Sequence, residues 1–178
     1  MRRTWLIAIA AFLAGSALAQ DKPKKPEWKK FVSREGAFAV LMPGTPVAKK
    51  EAAQTPLGPL VAHLFSLEVE IGSNFTVSFS DVPQGLLGLE GVDDLLLTQA
   101  RDAAVAKLEG KLLKDERGSL NKRFPGREFH IEVPNAGIVR MRIYLVQNRV
   151  FQIVAAGPKE FATGKDADRF FNSFTLTR

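Results

Sequence analysis

Apolar and polar residues alternate along most of the chain after Trp28, and this period of two is typical of β-strands that bury one face. The alternation predicts a first hairpin over residues 29–43, whose two strands turn at 33–36. That hairpin ends at the Pro-Gly-Thr-Pro corner, 43–46. Two of these four residues lack an N–H and no helix follows, so the corner predicts the end of a strand and not a phosphate site. An irregular strand is expected over 47–54.

A second, longer hairpin is predicted over residues 58–70 and 74–82, with its turn at 71–74. One face of its second strand carries Phe75, Val77 and Phe79. The matching face of its first strand carries Val61, His63, Phe65, Leu67 and Val69. These two apolar faces predict that the hairpin packs one side against the core.

The period changes between residues 91 and 110, where apolar residues recur every three or four positions and predict a long helix. Asp93 and Asp94 favour a helix start, and Gly110 favours its end. The stripe expected to face the sheet comprises Val92, Leu95, Leu96, Ala100, Ala103, Ala104 and Leu108.

Strand periodicity returns in the second half of the chain. Four strands are predicted over 111–120, 127–133, 138–146 and 149–157, separated by turns at 124–126, 134–137 and 147–148. A short helix over 165–174 would bury Phe170, Phe171 and Phe174. The whole pattern predicts an α+β fold, a mainly antiparallel β-sheet packed by one long and one short helix.

The first 19 residues have the layout of a secretory signal peptide. Arg2 and Arg3 precede an apolar stretch, and a small-residue pattern at 17–19 predicts cleavage after Ala19. The stretch is shorter than the roughly 20 residues that span a bilayer. The sequence therefore predicts export to the periplasm or beyond, by the general or the twin-arginine route. Of 178 residues, 159 would remain, a length suited to one domain.

Composition narrows the chemistry further. The chain has no cysteine, which excludes disulfides, thiolate metal sites and cysteine nucleophiles. Its net charge of +6 is partly concentrated in a Pro/Lys-rich linker over 20–27 that precedes the single domain, 28–178. This linker permits at most peripheral contact with a membrane surface. The basic residues do not interleave with aromatic ones, so nucleic acid is not an expected partner, and a monomer is expected.

One predicted strand pair carries the most concentrated polar chemistry. By period two, Glu128, His130 and Glu132 share a face, and Arg140, Arg142 and Tyr144 share the corresponding face of the next strand. If the apolar faces coincide, the carboxylates stand opposite or diagonal to the arginines as cross-strand charge pairs. This structural interpretation is favoured over a metal site, since one strand rarely closes a metal shell. These six residues are also the candidate interaction face, because arginine and tyrosine are favoured at interfaces.

Signs of an enzyme are missing from the sequence. It contains no Gly-x-Ser-x-Gly elbow, and no serine has a plausible His/Asp set around it. His63, on an apolar strand face, is expected to be a semi-buried core residue and not a ligand. No catalytic residue, metal or cofactor is therefore predicted. A hydrolase that uses clustered carboxylates is left as an unfavoured alternative.

Several short motifs, taken in order, resemble uncharacterised exported bacterial proteins with a PsbP-like fold. That superfamily includes the photosystem II extrinsic subunit and a yeast Ran-binding import factor. Two motifs are typical of this superfamily: an opening Gly-Phe-x-Val-x-x-Pro and a terminal helix that ends in Ser-Phe. Here they are Gly36, Phe38, Val40, Pro43, Ser173 and Phe174, with one additional residue between the glycine and the phenylalanine. The chain departs from many relatives at 44–46, where they have a tryptophan soon after that proline.

The resemblance implies an α/β/α sandwich and a non-enzymatic binding or assembly accessory protein of the bacterial envelope. The partner would be an envelope protein or a small ligand. The alternative is a carrier of a small apolar ligand between the long helix and the sheet, lined by Leu95, Leu96 and the Phe-rich strands.

Overall fold

The structure is a computed structural model that describes residues 26–55, 58–83 and 91–177. These residues form ten strands and three helices. The strands are β1 (Lys29–Ser33), β2 (Phe38–Met42), β3 (Val47–Thr55), β4 (Gly58–Glu70), β5 (Ser73–Asp81), β6 (Lys111–Leu120), β7 (Phe124–Val133), β8 (Gly137–Val146), β9 (Arg149–Gly157) and β10 (Thr175–Leu176). The helices are α1 (Val92–Lys107), α2 (Lys159–Ala162) and α3 (Lys165–Asn172).

A seven-stranded antiparallel sheet forms the centre of the fold, with strand order β3-β4-β5-β9-β8-β7-β6. A second sheet has only three strands, in the order β1-β2-β10. Hairpin connections build most of the large sheet, which explains why short-range alternation could predict its strands. The prediction of a mainly antiparallel α+β fold is confirmed.

One face of the large sheet packs against the small sheet and the two C-terminal helices. Its core is rich in phenylalanine, because alternate positions of β2, β5 and β9 and the apolar side of α3 all point inward. The fully buried members are Phe38, Val40, Met42, Phe75, Val77, Phe151, Ile153, Ala155, Ala167 and Phe170. The predicted burial of Phe171 and Phe174 is also confirmed.

The opposite face of the large sheet packs against α1, over β7 and β8. Phe129, Ile131 and Ile143 are fully buried there, and Leu96 and Leu97 pack onto them from the helix. At roughly 25 cal/mol per Å² of apolar surface, such burial supplies most of the attraction between helix and sheet. None of the helices within the described residues is long and apolar enough to cross a membrane.

The helix was predicted correctly, but two residues of its predicted buried stripe, Leu95 and Ala103, were assigned to the wrong face. Leu95 is 53% exposed, and Ala103 is exposed too, whereas Leu97 occupies the buried position. The apolar run Leu95–Leu96–Leu97 fits two helical faces equally well, so spacing alone does not decide which leucine points inward. Leu95 therefore cannot line a ligand cavity between helix and sheet, as the carrier alternative required.

The predicted turn at 124–126 is wrong. Phe124, Pro125 and Gly126 belong to β7 and pair with β6, and the chain turns at 121–123 instead. Asn121 and Lys122 take the positive φ angles of that turn, 55° and 57°. Gly126 lets β7 and β8 approach each other closely. A Cβ at this position would lie 2.4 Å from the Tyr144 ring and 2.7 Å from the Ile143 carbonyl oxygen. Two elements, α2 and β10, were not predicted.

Candidate functional site

The six predicted site residues lie on β7 and β8, and the register brings most of them together. Glu128 pairs with Arg142 and His130 with Arg140, while Glu132 pairs with Ile138 and Gly126 with Tyr144. Because Phe129 and Ile131 point toward α1, their neighbours Glu128 and His130 point to the other side, toward α3. The predicted cross-strand charge pairs are confirmed for Glu128, whereas Glu132 forms no ion pair with either arginine among the described residues.

Glu128 is the centre of this polar group. Its Oε1 accepts a hydrogen bond from Arg140 Nε at 3.1 Å, and its Oε2 accepts one from Arg142 Nε. Burial alone would raise the pKa of Glu128, but the hydrogen bond from Arg142 and the charges of Arg142 and Arg140 outweigh it and lower the pKa to about 2. Glu128 is therefore a carboxylate throughout the physiological pH range.

His130 lies beside that carboxylate, with Nε2 3.4 Å from Glu128 Oε1. Burial lowers the pKa of His130 and the charges of Arg140 and Lys114 add to this, although Glu128 opposes them. Because its ordinary pKa is already below 7, a lowered pKa keeps the imidazole neutral at pH 7.

The two arginines reach beyond Glu128 to α3. Arg140 Nη1 donates to Asp168 Oδ1 at 2.7 Å, and Arg142 Nη1 donates to Asn172 Oδ1 at 3.0 Å. Both guanidinium groups also lie over the ring of Phe171, 4.6 and 5.1 Å from its centroid. Each arginine thus joins a strand to the helix by hydrogen bonds and a cation–π contact. We call Glu128, Arg140, Arg142 and Asp168 the α3 charge cluster.

Exposure separates the residues that hold the fold together from those that a partner can reach. The Arg140 side chain is only 9% exposed, because α3 covers it. Tyr144 is half-buried, with its ring 6.2 Å from that of Phe174, and burial raises the pKa of its hydroxyl. Glu132, by contrast, is exposed, and no ion pair between described residues involves it. The accessible part of the predicted face is therefore its Glu132 end.

The sequence did not predict the α3 partners, although a signal for them exists. Asp168 and Asn172 are four residues apart, so they lie on one side of the helix. That spacing shows only that both side chains can contact the same surface. Which surface they contact depends on how α3 packs against the sheet, and local spacing does not determine this.

A second charge cluster, which the sequence also did not predict, lies on the opposite face of the sheet under α1. Arg127 Nη2 donates to Asp94 Oδ1 at 3.0 Å and to Thr98 Oγ1 at 3.2 Å, and its Nη1 donates to Asp115 Oδ2 at 2.6 Å. Arg101 also binds Asp115, and Arg117 also binds Asp94. Arginines and aspartates therefore alternate from strand to helix in what we call the α1 charge cluster.

These arrangements neutralise charge within the fold. Both oxygens of Glu128 accept from arginines, so a metal ion or a reacting group would have to displace them. Within the described ranges, no three His, Asp or Glu side chains are grouped as metal ligands would be. The chemistry available at β7 and β8 is accordingly that of hydrogen bonding and charge recognition.

Comparison with known proteins bears on the fold. The structure is similar to the solution structure of cyanobacterial PsbP (CyanoP) from Synechocystis sp. PCC 6803, with a TM-score of 0.55 and 14% sequence identity. The match covers 85% of this chain and 93% of that one. No protein-family model matches the sequence, and no curated protein is significantly similar to it. The chain therefore has a PsbP-like fold, as the sequence motifs implied.

Proposed function

We propose that the protein is an exported accessory of the bacterial envelope that binds a protein partner and catalyses no reaction. The observation that carries the proposal is the pairing within the α3 charge cluster. Glu128 has both oxygens bound by arginines, and Arg140 is covered by α3. Groups that hold one another in this way are suited to presenting a rigid polar surface and poorly suited to exchanging protons with a substrate.

The surface proposed for the partner is the exposed end of the candidate face. Glu132 and Asp168 contribute negative charge there, and Lys114 and the side chains of Glu128 and His130 are partly accessible beside them. Arg140 and Arg142 hold Glu128 in place beside this surface, whereas Tyr144 lies at the other end of the face, opposite Gly126. A mixture of half-buried and exposed charges favours recognition by charge complementarity.

Export is the second part of the proposal and rests on the pattern of residues 1–19, which lie outside the described residues. The mass of the protein recovered from its native envelope should correspond to a chain that starts at Gln20. A chain that keeps Met1 and stays in the cytoplasm would contradict export without bearing on the fold.

The partner can be sought by co-purification from the native envelope with three forms of the tagged protein. The wild type and a Glu51→Arg control should recover the same partner, whereas Glu132→Arg should lose it. Glu51 is a suitable control because it is also an exposed glutamate on a strand, but lies on β3, at the far edge of the sheet. Equal recovery with all three forms would contradict the proposed surface.

A further inference from the structure

A shallow groove of about 170 Å³ lies on the small-sheet side of the large sheet, near its β3 edge. Strands β3 and β4 and the turn between β1 and β2 supply its walls. The lining residues are Glu35, Ala48, Lys49, Lys50, His63 and Phe65. The groove belongs to neither charge cluster, and nothing in the proposed function uses it.

His63 gives the groove a buried polar atom without a partner. Its ring is only 16% exposed and stacks on Phe79, with centroids 4.5 Å apart and planes at 15°. This placement confirms the prediction of a semi-buried histidine. Nδ1 is buried and has no hydrogen-bond partner among the described residues. A buried polar nitrogen without a hydrogen-bond partner is unfavourable, so a group that bonded to it would bind favourably.

Glu35 shows what kind of group fits beside that nitrogen. Its Oε1 lies 3.3 Å from His63 Nδ1, in electrostatic contact but outside hydrogen-bond geometry, and accepts a hydrogen bond from Lys50 Nζ at 3.0 Å. The hydrogen bond from Lys50 lowers the pKa of Glu35, so the group is ionised. Two nitrogens of the groove therefore converge on a carboxylate that the chain itself supplies.

That internal carboxylate is easily displaced. Glu35 and Lys50 are both more than half exposed, and Glu35 lies on the turn between β1 and β2. Solvent screens an exposed ion pair of this kind and little stability is lost with it, so displacing it costs an incoming anion little. The neighbouring Arg149 is already engaged: it donates two hydrogen bonds to Asp81 and one to the Glu35 backbone carbonyl oxygen at 3.0 Å, and it lies 4.4 Å over the Phe79 ring. The Glu35 side chain can therefore leave while its backbone stays in place.

We infer that the groove binds a small carboxylate, which takes the place of Glu35 between Lys50 and His63 while its apolar body lies against Phe65 and Ala48. The volume supports a small ligand, since drug-sized molecules occupy pockets of about 300–1,000 Å³. A carboxylate would also restore the negative charge that Glu35 withdraws when it leaves Lys50. This inference stands on the groove alone and does not depend on the proposed protein partner.

The test is a titration of the purified protein with benzoate, followed by NMR at the His63 ring and the Lys50 amide. Benzoate should shift both signals, and Lys50→Met should weaken its binding about tenfold, the usual loss when a charged donor is removed. Glu35→Gln should tighten binding several-fold, because the competing internal carboxylate is gone. Lys111→Met, a change at an exposed lysine on β6, is the matched control and should leave the affinity unchanged.

Benzylamine, which reverses the charge of the probe, should leave both signals in place. The inference is overturned if benzoate leaves the His63 and Lys50 signals unmoved at millimolar concentration. It is equally overturned if benzylamine shifts them as much as benzoate does, or if Lys50→Met binds benzoate as tightly as Lys111→Met. All three changes are at exposed side chains, so each variant is expected to fold.

Discussion

At the scale of single residues, Glu128 matters most, because it neutralises two guanidinium groups that the fold keeps away from water. Its side chain is 17% exposed and those of Arg140 and Arg142 are 9% and 19% exposed. Charges this far from solvent are costly when they lose their partner, whereas the pair itself adds little net stability over an apolar substitute. Glu128 is thus required by the arginines that surround it.

Replacing Glu128 should accordingly be far more harmful than replacing its exposed neighbour on the same strand face. Glu128→Gln should lower the free energy of unfolding by about 3 kcal/mol, because Arg142 loses its carboxylate partner and Arg140 keeps only Asp168, which is half exposed. Glu132→Gln should change it by no more than about 0.5 kcal/mol. Urea unfolding at pH 7 measures both values, and equal effects would contradict the role given to Glu128.

The same carboxylate should make stability depend on pH in acid. The pKa of Glu128 is about 2 in the folded protein, below its ordinary value of 4.5. A lowered pKa contributes stability that is present above 4.5 and is lost as the pH falls toward 2, in total about 3 kcal/mol at 1.36 kcal/mol for each pH unit. The difference in unfolding free energy between the wild type and Glu128→Gln should shrink over this window. A difference that stays constant from pH 5 to pH 2 would contradict the assignment.

Sequence alternation was enough to place Glu128 opposite an arginine, because strand register follows from which faces are apolar. It was not enough to find the α1 charge cluster. Arg127 begins the predicted strand among residues of its apolar face, and its partners Asp94 and Asp115 come from two other elements. Contacts between elements distant in sequence depend on docking, which local patterns do not encode.

At the scale of elements, the packing of β6, β7 and β8 at one edge of the large sheet depends on Gly126, where β7 and β8 approach each other closely. The strand register aligns Gly118, Gly126 and Tyr144 across three strands. Gly126→Ala would place its Cβ against the Tyr144 ring and the Ile143 carbonyl oxygen, whereas a Cβ at Gly118 meets nothing within 4 Å.

These two glycines therefore form a matched pair for mutation. Gly126→Ala should destabilise the protein by about 2 kcal/mol through overpacking. Gly118→Ala should be neutral or should stabilise by about 0.5 kcal/mol, because it removes backbone freedom from the unfolded chain. Thermal unfolding distinguishes the two, and similar melting temperatures for both variants would contradict the close approach.

The attachment of α1 offers a second matched pair. Arg127 and Arg117 both bind Asp94, but their side chains are 7% and 76% exposed. Arg127→Met should cost about 2 kcal/mol, because it removes the hydrogen bonds from a buried guanidinium to Asp94, Thr98 and Asp115 and leaves the partly buried Asp115 with fewer donors. Arg117→Met should cost less than about 0.5 kcal/mol.

Amide hydrogen exchange of α1 gives the decisive measurement. Arg127→Met should speed exchange in the helix more than in β5 and β9, whereas Arg117→Met should leave the α1 rates unchanged. If both variants speed exchange equally, or if neither does, the α1 charge cluster does not hold the helix in place.

The errors of prediction at this scale have physical causes. Pro-Gly at 125–126 is a typical turn signal, yet here the proline lies near the start of β7 and the glycine makes room for an aromatic ring. Helix α2 has only four residues and follows Pro158, too short for a period to be visible. Strand β10 has only two residues and exists because α3 delivers it to β2.

At the scale of the whole molecule, most of the architecture follows from local pattern because most strand neighbours are joined by short turns. The apolar faces of the strands and helices also predicted which layers pack together, and the PsbP-like fold agrees with that arrangement. The surface proposed for a partner could not be predicted in this way, since docking of α3 covers part of the predicted face and leaves Glu132 exposed. What remains accessible after packing is a property of the assembled fold.

The central claim, that this domain binds an envelope protein through the Glu132 end of β7, is tested most directly by site-specific photo-crosslinking in the native envelope. A photoreactive residue at position 132 should capture one recurring protein, and the same residue at position 51 should not. Capture at 132 should persist in the Glu51→Arg background. No captured protein at 132, or the same protein captured equally at 51, would contradict the account.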